Sequence, residues 1–486
     1  VEWLSWFDAW DHEFARQVLQ RGTAALYAVA FLSTLNQFPA LLGERGLLPV
    51  PDFLDVARRM GRPTLFRRFY SDAMLRAVCW VGIAVAALLL IGVPQAGPPW
   101  LPMLAFLALW ILYMSIVNVG QTFYGFGWEI LLLETGFVVA FLGSDQTPPP
   151  TPILVLITWL VFRLEFGAGM IKIRGGREWR DMTAMFYHHE TQPMPGPLSR
   201  QAHLLPRSLH KVEVVGNHFA QLVVPFFLFA PQPLASIAAG IIIVTQLWLV
   251  ASGNFAWLNW AAIVLAFAAV SDPVAHAVFP LIPLEWHPGA QTPVWWLAVV
   301  VLVTGLLLVL SYRPLLNLFS RQQLMNASFN RWRLVNAYGA FGTVTKQRIE
   351  IVVEGTMDVE PDAPDDNWQE YGFKGKPGDV RRLPRQWAPY HLRLDWMMWF
   401  LPLRTVHEDW FYAFLNKLLE ADAPTLGLLR HDPFDGERPR WVRARSYLYR
   451  FATRAEFRET GDRWVRVLLY EAIPPLGLRP GRRHSA

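Results

Sequence analysis

The sequence predicts a polytopic α-helical membrane protein of about nine spans, followed by a C-terminal β-rich α+β domain outside the membrane. Three observations carry this. Hydrophobic residues make up 53% of the chain and charged residues only 17%, with a mean hydropathy of +0.24, which is less charge than a soluble protein of 486 residues carries. The apolar residues are bunched into runs suited to a ~30 Å hydrocarbon core. After Tyr312 those runs stop, and a period-two alternation takes over.

Residues 1–21 place Trp3, Trp6, Phe7, Trp10 and Phe14 at helical spacing, the pattern of an amphipathic helix at the membrane interface or against a bundle. Apolar runs follow at 22–42, 73–95, 100–118, 128–143, 151–172, 214–230, 233–251, 254–271 and 293–311. Backbone in lipid finds no water to bond, so each run is expected to be a helix. The first has no short basic segment before it and no small-residue cleavage site after it, the pattern of an uncleaved anchor. Nine spans put the loops 43–72 and 173–213 on the side of everything beyond residue 312. Residues 313–345, with Trp332, Tyr338 and Phe341 among Arg331, Arg333 and Asn336, read as an amphipathic connector. Within 346–486, RIEIVVEGT (348–356), YLYRFATR (447–454) and WVRVLLYEA (464–472) alternate as strands. WFYAFLNKLLEAD (410–422) has helical periodicity, and YGFKGKPGD (371–379) supplies turns.

The net charge of +5 and pI of about 9.3 suit anionic lipid head groups, so membrane lipids are expected partners. No zinc-finger, RNP or helix-turn-helix pattern is present, which excludes a nucleic-acid reader. Cys79 is the single cysteine, so no disulfide within the chain is possible. Paired broken helices in matching halves, the mark of many transporters, are not legible.

Charges inside the apolar runs are the candidates for a site, because an ionised group in a membrane interior needs a partner or a water-filled cavity. The fifth run carries Arg163, Glu165 and Lys172; the fourth carries Glu129 and Glu134. Glu165 and Lys172 share a helix face about 10 Å apart along the axis. Gly167 and Gly169 beside them allow another backbone to approach. Two readings fit: an ion pair bracing two helices with Lys172 snorkelling to the interface, or the floor of a polar recess. The loop that follows holds Trp179, Arg180, Asp181, His188, His189 and Glu190. Five of the chain's 12 histidines fall between His188 and His218. Imidazole beside carboxylate moves protons or binds metal. Yet adjacent histidines point apart and no H-E-x-x-H or C-x-x-C spacing occurs, so no metal and no cofactor is expected. Asn217 and His218 open the sixth run and Asn254 separates the seventh from the eighth; they line the same recess or cap helices. In YHLRLDWMMWF (390–400), Arg393 and Asp395 sit among Trp396 and Trp399, either as a client-binding or membrane-docking patch or as the domain's core.

Several of these stretches resemble the lipase maturation factor family. They are RLEFGAGMIKI (163–173), WRDMTAMFYHHETQPMP (179–195), GNHF (216–219), SGNFAWLN (252–259), WQEYGFKGKPGD (368–379), YHLRLDWMMWF (390–400) and RARSYLYRF (443–451). The similarity runs from about residue 20 to 475. The resemblance implies a multi-pass membrane protein with a C-terminal domain outside the membrane that helps exported clients such as lipases fold or assemble, with no catalytic step assigned. Animal members of the family sit in the endoplasmic reticulum. A chain this short, arginine-rich and nearly free of cysteine suggests a bacterial member in the cell's inner membrane, whose client need not be a lipase.

A fainter similarity runs from Ala168 through Lys172 to Trp179, which looks like the membrane region of vitamin K-dependent γ-carboxylases. It implies an alternative: a membrane enzyme acting on a lipid or quinone-like substrate, with Lys172 as base and Glu165, His188 and His189 around it. Sidedness is read two ways. Arginine and lysine crowd loops 43–72 and 173–213, which would make that side cytoplasmic. The family resemblance puts it outside, which is the expectation adopted because a factor for exported proteins must meet them after export.

Overall fold

The computed structural model describes residues 6–281 and 292–478. Its helical bundle is built on α1 (Glu13–Leu42), α2 (Asp72–Leu90), α3 (Trp100–Val119), α4 (Gly127–Val139), α5 (Thr151–Arg174), α6 (Met185–Thr191), α7 (Arg207–Leu222), α8 (Leu234–Ser252), α9 (Leu258–Ala266) and α10 (Val294–Phe319). Among the described residues, six of these are long and apolar enough to cross a membrane: α1, α2, α3, α5, α8 and α10. The other three runs in the expected nine fold as shorter helices. Run 128–143 becomes α4, whose 13 residues cover only ~20 Å at 1.5 Å each. Run 214–230 is divided between α7 and a single turn at Val224–Phe227, and run 254–271 yields α9 and a 3₁₀ turn. Every residue of α4 is buried, so its apolar character answers to protein neighbours rather than to lipid. On α10, by contrast, Leu302 and Val309 are each 74% exposed, as a lipid-facing helix requires.

The separate helix expected over 1–21 does not form as such. Residues 6–12 are mostly turns, and a single helix starts at Glu13. Its first turn is capped from another part of the chain: the Asp272 carboxylate accepts the backbone N–H groups of Glu13 at 3.0 Å and Phe14 at 2.8 Å, satisfying two of the donors a helix start leaves free. Of the aromatic residues there, Phe7 and Phe14 are buried and Trp6 and Trp10 exposed; Trp3 lies outside the described residues.

The connector departs from its expectation too. Residues up to Phe319 extend α10, and the stretch beyond has no helix. Its second half threads into the bundle, where Leu334, Val335, Asn336, Ala337 and Tyr338 are buried, while Leu324, Met325 and Trp332 in its first half are exposed. Gly167 makes room for it: a Cβ there would sit 2.7 Å from the Tyr338 carbonyl oxygen.

The C-terminal domain is a four-stranded antiparallel sheet of β1 (Arg348–Thr356), β2 (Gln369–Glu370), β3 (Trp441–Phe451) and β4 (Trp464–Gly477), in the order β2-β1-β3-β4. Two helices, α11 (Arg393–Phe400) and α12 (Asp409–Leu419), pack with it. The inward face of α12, with Phe411, Phe414, Leu415 and Leu418, has the apolar stripe its sequence predicts.

This domain is docked on the bundle through buried polar contacts. The Arg348 guanidinium donates to the carbonyls of Glu190 at 2.8 Å, Gln192 at 2.5 Å and Pro193 at 3.0 Å. The Asn254 side chain accepts from the amides of Trp387 at 2.7 Å and Ala388 at 2.9 Å, and donates to the carbonyls of Pro195 and Arg385.

Candidate functional site

Two carboxylates on α4 organise the interior. Glu134 pairs with Arg163 on α5, accepts from Tyr338 Oη at 2.7 Å and accepts from the Asn336 backbone at 2.8 Å. This contact ties the fourth and fifth apolar runs and fastens the connector. Glu129, five residues earlier, faces elsewhere. It accepts from Arg393 Nη1 at 2.6 Å and from Tyr113 Oη at 2.5 Å. Arg393 also donates to the Phe123 carbonyl at 2.8 Å and lies 3.4 Å above the Tyr124 ring. A buried charge left unpaired would be costly, so the pair locks α11 to the bundle.

That arrangement corrects one expectation. Arg393, Asp395 and Trp396 are buried rather than displayed to a client, and Trp399 donates its indole N–H to the Thr191 carbonyl at 3.0 Å. Asp395 accepts from the amides of Gly375 at 2.6 Å and Lys376 at 3.0 Å, bracing the domain from within. An aromatic-rich segment reads alike whether it faces a client or a neighbouring domain.

Between α5, α7, α8 and α9, beneath the connector and α11, lies a cavity of about 520 Å³. Its walls include Trp128, Phe255, Phe341, Trp396 and Trp399, and its polar lining includes Glu165, Lys172, Asn217, Gln221, Gln246 and Asn259. These polar groups form one continuous hydrogen-bonded chain. Asn259 donates to Gln246 at 2.6 Å, and Gln246 to Glu165 at 2.6 Å. Gln221 donates to the other Glu165 oxygen at 3.2 Å and accepts from Lys172 Nζ at 2.8 Å; Nζ also donates to Asn217 at 2.8 Å and lies 4.5 Å from the Trp179 ring centroid. Glu165 and Lys172 thus line one cavity with an amide between them. Asn217 and Gln221 face it together because they are four apart on α7. Nζ is thus surrounded by two amide oxygens and a ring face. A cavity of this size, mostly apolar with a few convergent polar groups, has the form of a small-molecule site.

The other predicted residues divide. Trp179 and His188 line the cavity. His188 sits between Phe255 and Phe341, with ring centroids 6.2 and 5.2 Å away. Burial first, and then the neighbouring His189, push its imidazole down to about 3, so it is neutral at ordinary pH. His189 is outside the lining, with Nε2 3.2 Å from Glu213, which belongs to it. His218 contacts the Trp179 carbonyl through Nε2 at 3.1 Å. Glu190 accepts from the Phe451 amide at 2.7 Å, and Asn254 serves the docking already described. Arg180 and Asp181 are exposed and stand apart from the cavity lining. Sequence reading missed Gln221, Gln246 and Asn259. Each is a lone amide inside or beside an apolar run, a signal as informative as a charge.

Residues 14–277 match the family model described as the lipase maturation factor transmembrane domain, and residues 334–474 match that of the lipase maturation factor C-terminal domain. With six helices of spanning length, the first match makes this a multi-pass integral membrane protein. The chain is 40% identical over 502 residues to lipase maturation factor 1 of Bos taurus, covering 95% of this chain and 88% of the relative. It is likewise 40% identical over 504 residues to lipase maturation factor 1 of Homo sapiens, with the same coverage. To lipase maturation factor 2 of Homo sapiens it is 26% identical over 600 residues, covering 95% and 82%. No solved structure gives a significant match. The chain therefore belongs to the lipase maturation factor family.

Proposed function

We propose that this protein assists the folding or assembly of exported client proteins, lipases among them, from the outer face of a bacterial cell membrane. The observation that carries this is the extent of the likeness: it takes in the bundle and the C-terminal domain together, so the docked two-part body is what the named relatives share with it. The enzyme alternative asks Lys172 to act as a base. Its Nζ instead donates to two amide oxygens, those of Asn217 and Gln221.

The client surface we assign is the outer edge of β4. This is an edge strand of the sheet, and Val467, Leu468, Leu469 and Tyr470 are 57%, 45%, 45% and 55% exposed in succession. Consecutive exposure means that both faces and the backbone edge are open. Such edges are normally blunted, because they recruit an extended segment of another chain. An extended apolar segment of an incompletely folded lipase-type client fits it.

The test is co-expression with a secreted lipase, measuring active lipase outside the cell and its co-purification with the detergent-solubilised protein. Wild type is expected to raise both, and Leu469→Lys to lose co-purification. No gain with wild type, or equal capture by the variant, refutes the function or the surface respectively. For sidedness, a Cys79→Ser background carrying Met182→Cys or Val359→Cys is expected to react with an impermeant maleimide in intact cells. Reaction only after lysis reverses the orientation.

A further inference from the structure

Three side chains beside the cavity are arranged as metal ligands. His189 comes from α6, while His210 and Glu213, three apart on α7, share one helix face. Nε2 of His189 is 3.2 Å from Glu213 Oε2, and Nδ1 of His210 is 3.7 Å from the same oxygen. The donor atoms of all three lie within 4.8 Å of one another. Both imidazoles are almost fully buried.

The hydrogen bonds around the cluster fix its chemistry. His210 Nε2 meets the His203 carbonyl at 3.1 Å, and a carbonyl can only accept, so Nε2 carries the proton. In the neutral ring Nδ1 then presents a lone pair toward a carboxylate, and it has no hydrogen-bond partner. In that tautomer Nδ1 and the Glu213 oxygen are two acceptors 3.7 Å apart, and a cation between them would satisfy both. Glu213 is oriented from behind, because its other oxygen accepts from Trp248 Nε1 at 2.6 Å. A ligating histidine whose second nitrogen is held by a carbonyl, and a ligating carboxylate that is itself hydrogen-bonded, are the supports metal ligands usually have.

We propose that His189, His210 and Glu213 form a binding site for a divalent metal ion, with zinc the best match. Two imidazoles and one carboxylate are a common three-ligand set for catalytic zinc. Tetrahedral coordination with bonds of 2.0–2.1 Å puts ligand atoms about 3.3 Å apart; the 3.2 and 3.7 Å separations from Glu213 are close to this, and the two imidazoles, whose nitrogens lie within 4.8 Å of each other, draw together around the ion. A three-ligand zinc keeps one position open, and Glu213 also lines the 520 Å³ cavity, so that position adjoins whatever the cavity holds. The spacing 189, 210, 213 matches no short motif, because a turn and a helix separate the first ligand from the other two.

The test uses the full-length protein in detergent, stripped with chelator, reloaded with zinc or cobalt(II), and passed through a desalting column. One zinc per chain is expected by mass spectrometry, with visible absorption bands of low-coordinate cobalt(II) in the reloaded protein. Glu213→Gln, which keeps a group able to accept from Trp248, is expected to weaken metal binding at least a hundredfold, and His210→Ala likewise. His203→Ala, outside the trio, is expected to retain metal. Absence of stoichiometric metal in the reloaded wild type overturns the site, leaving an ordinary histidine–carboxylate cluster. Equal retention by Glu213→Gln also overturns it, since the metal would then be held elsewhere. Wild type and Glu213→Gln together decide the question even if a histidine variant fails to fold.

Discussion

Arg393→Met tests how the extramembrane domain is held. Arg393 and Glu129 are both fully buried and 2.6 Å apart. Methionine keeps much of the side-chain volume but removes the cation, leaving Glu129 with the Tyr113 hydroxyl at 2.5 Å and the His391 ring 3.7 Å away. Breaking one side of a buried ion pair costs about 3–5 kcal/mol. At 1.4 kcal/mol per tenfold, 3 kcal/mol shifts an equilibrium by more than about a hundredfold. The assay is hydrogen exchange on the protein in detergent. The amides of Trp387 and Ala388 bond to Asn254 at 2.7 and 2.9 Å, and that of Arg393 bonds to Gln37 at 2.9 Å, so all three report opening of the interface. Peptides spanning 385–394 are expected to exchange about a hundredfold faster in Arg393→Met, with α12 peptides much less affected. Glu129→Gln combined with Arg393→Met removes both charges and should recover at least about 2 kcal/mol of the loss. Unchanged exchange in the single variant, or a double variant no better protected than the single, would refute the claim that this pair holds the interface.

Gly167→Ala places a methyl 2.7 Å from the Tyr338 carbonyl and should destabilise by about 1–3 kcal/mol, seen as a lowered melting midpoint. Gly216→Ala, with nothing within 4 Å of the new carbon, should stabilise by about 0.5–1 kcal/mol. His391 lies at the domain interface, where burial, and then the neighbouring Arg393, push its imidazole down to about 4. An unfolded chain takes up that proton near pH 6.5, so stability should be flat above about pH 7. It should fall by about 3 kcal/mol as pH drops from 6.5 to 4. Comparison of melting against pH with His391→Gln isolates this slope, and parallel curves would count against it.

The placement of charge in the sequence reveals half of this interior. Arg163 and Glu134 stand in adjacent apolar runs, where each has few other candidates for a partner, and they meet. Glu165 and Lys172 line one cavity because helix periodicity puts them on one face. Glu129 and Arg393 are 264 residues apart. Nothing local picks Arg393 from the many arginines of the C-terminal part, so that contact depends on how two domains dock. The nine apolar runs give six helices of spanning length among the described residues, in part because α4 is as hydrophobic as a lipid-facing helix while every one of its residues is buried. The connector's aromatic and polar mixture is equally ambiguous. The same residues suit an interface or a plug whose Asn336 and Tyr338 reach Glu134.

The long reach from Glu129 to Arg393 also sets a timetable for biogenesis. At roughly 5–20 residues per second, a ribosome takes on the order of 15–50 s to make the 264 residues between them. Throughout that interval α4 is in place with its acid unmatched, and a chain arrested before position 393 never acquires the counter-ion. A copy that stops short of position 393 would therefore hold the Glu129 carboxylate beside the Tyr113 hydroxyl with no arginine to match its charge.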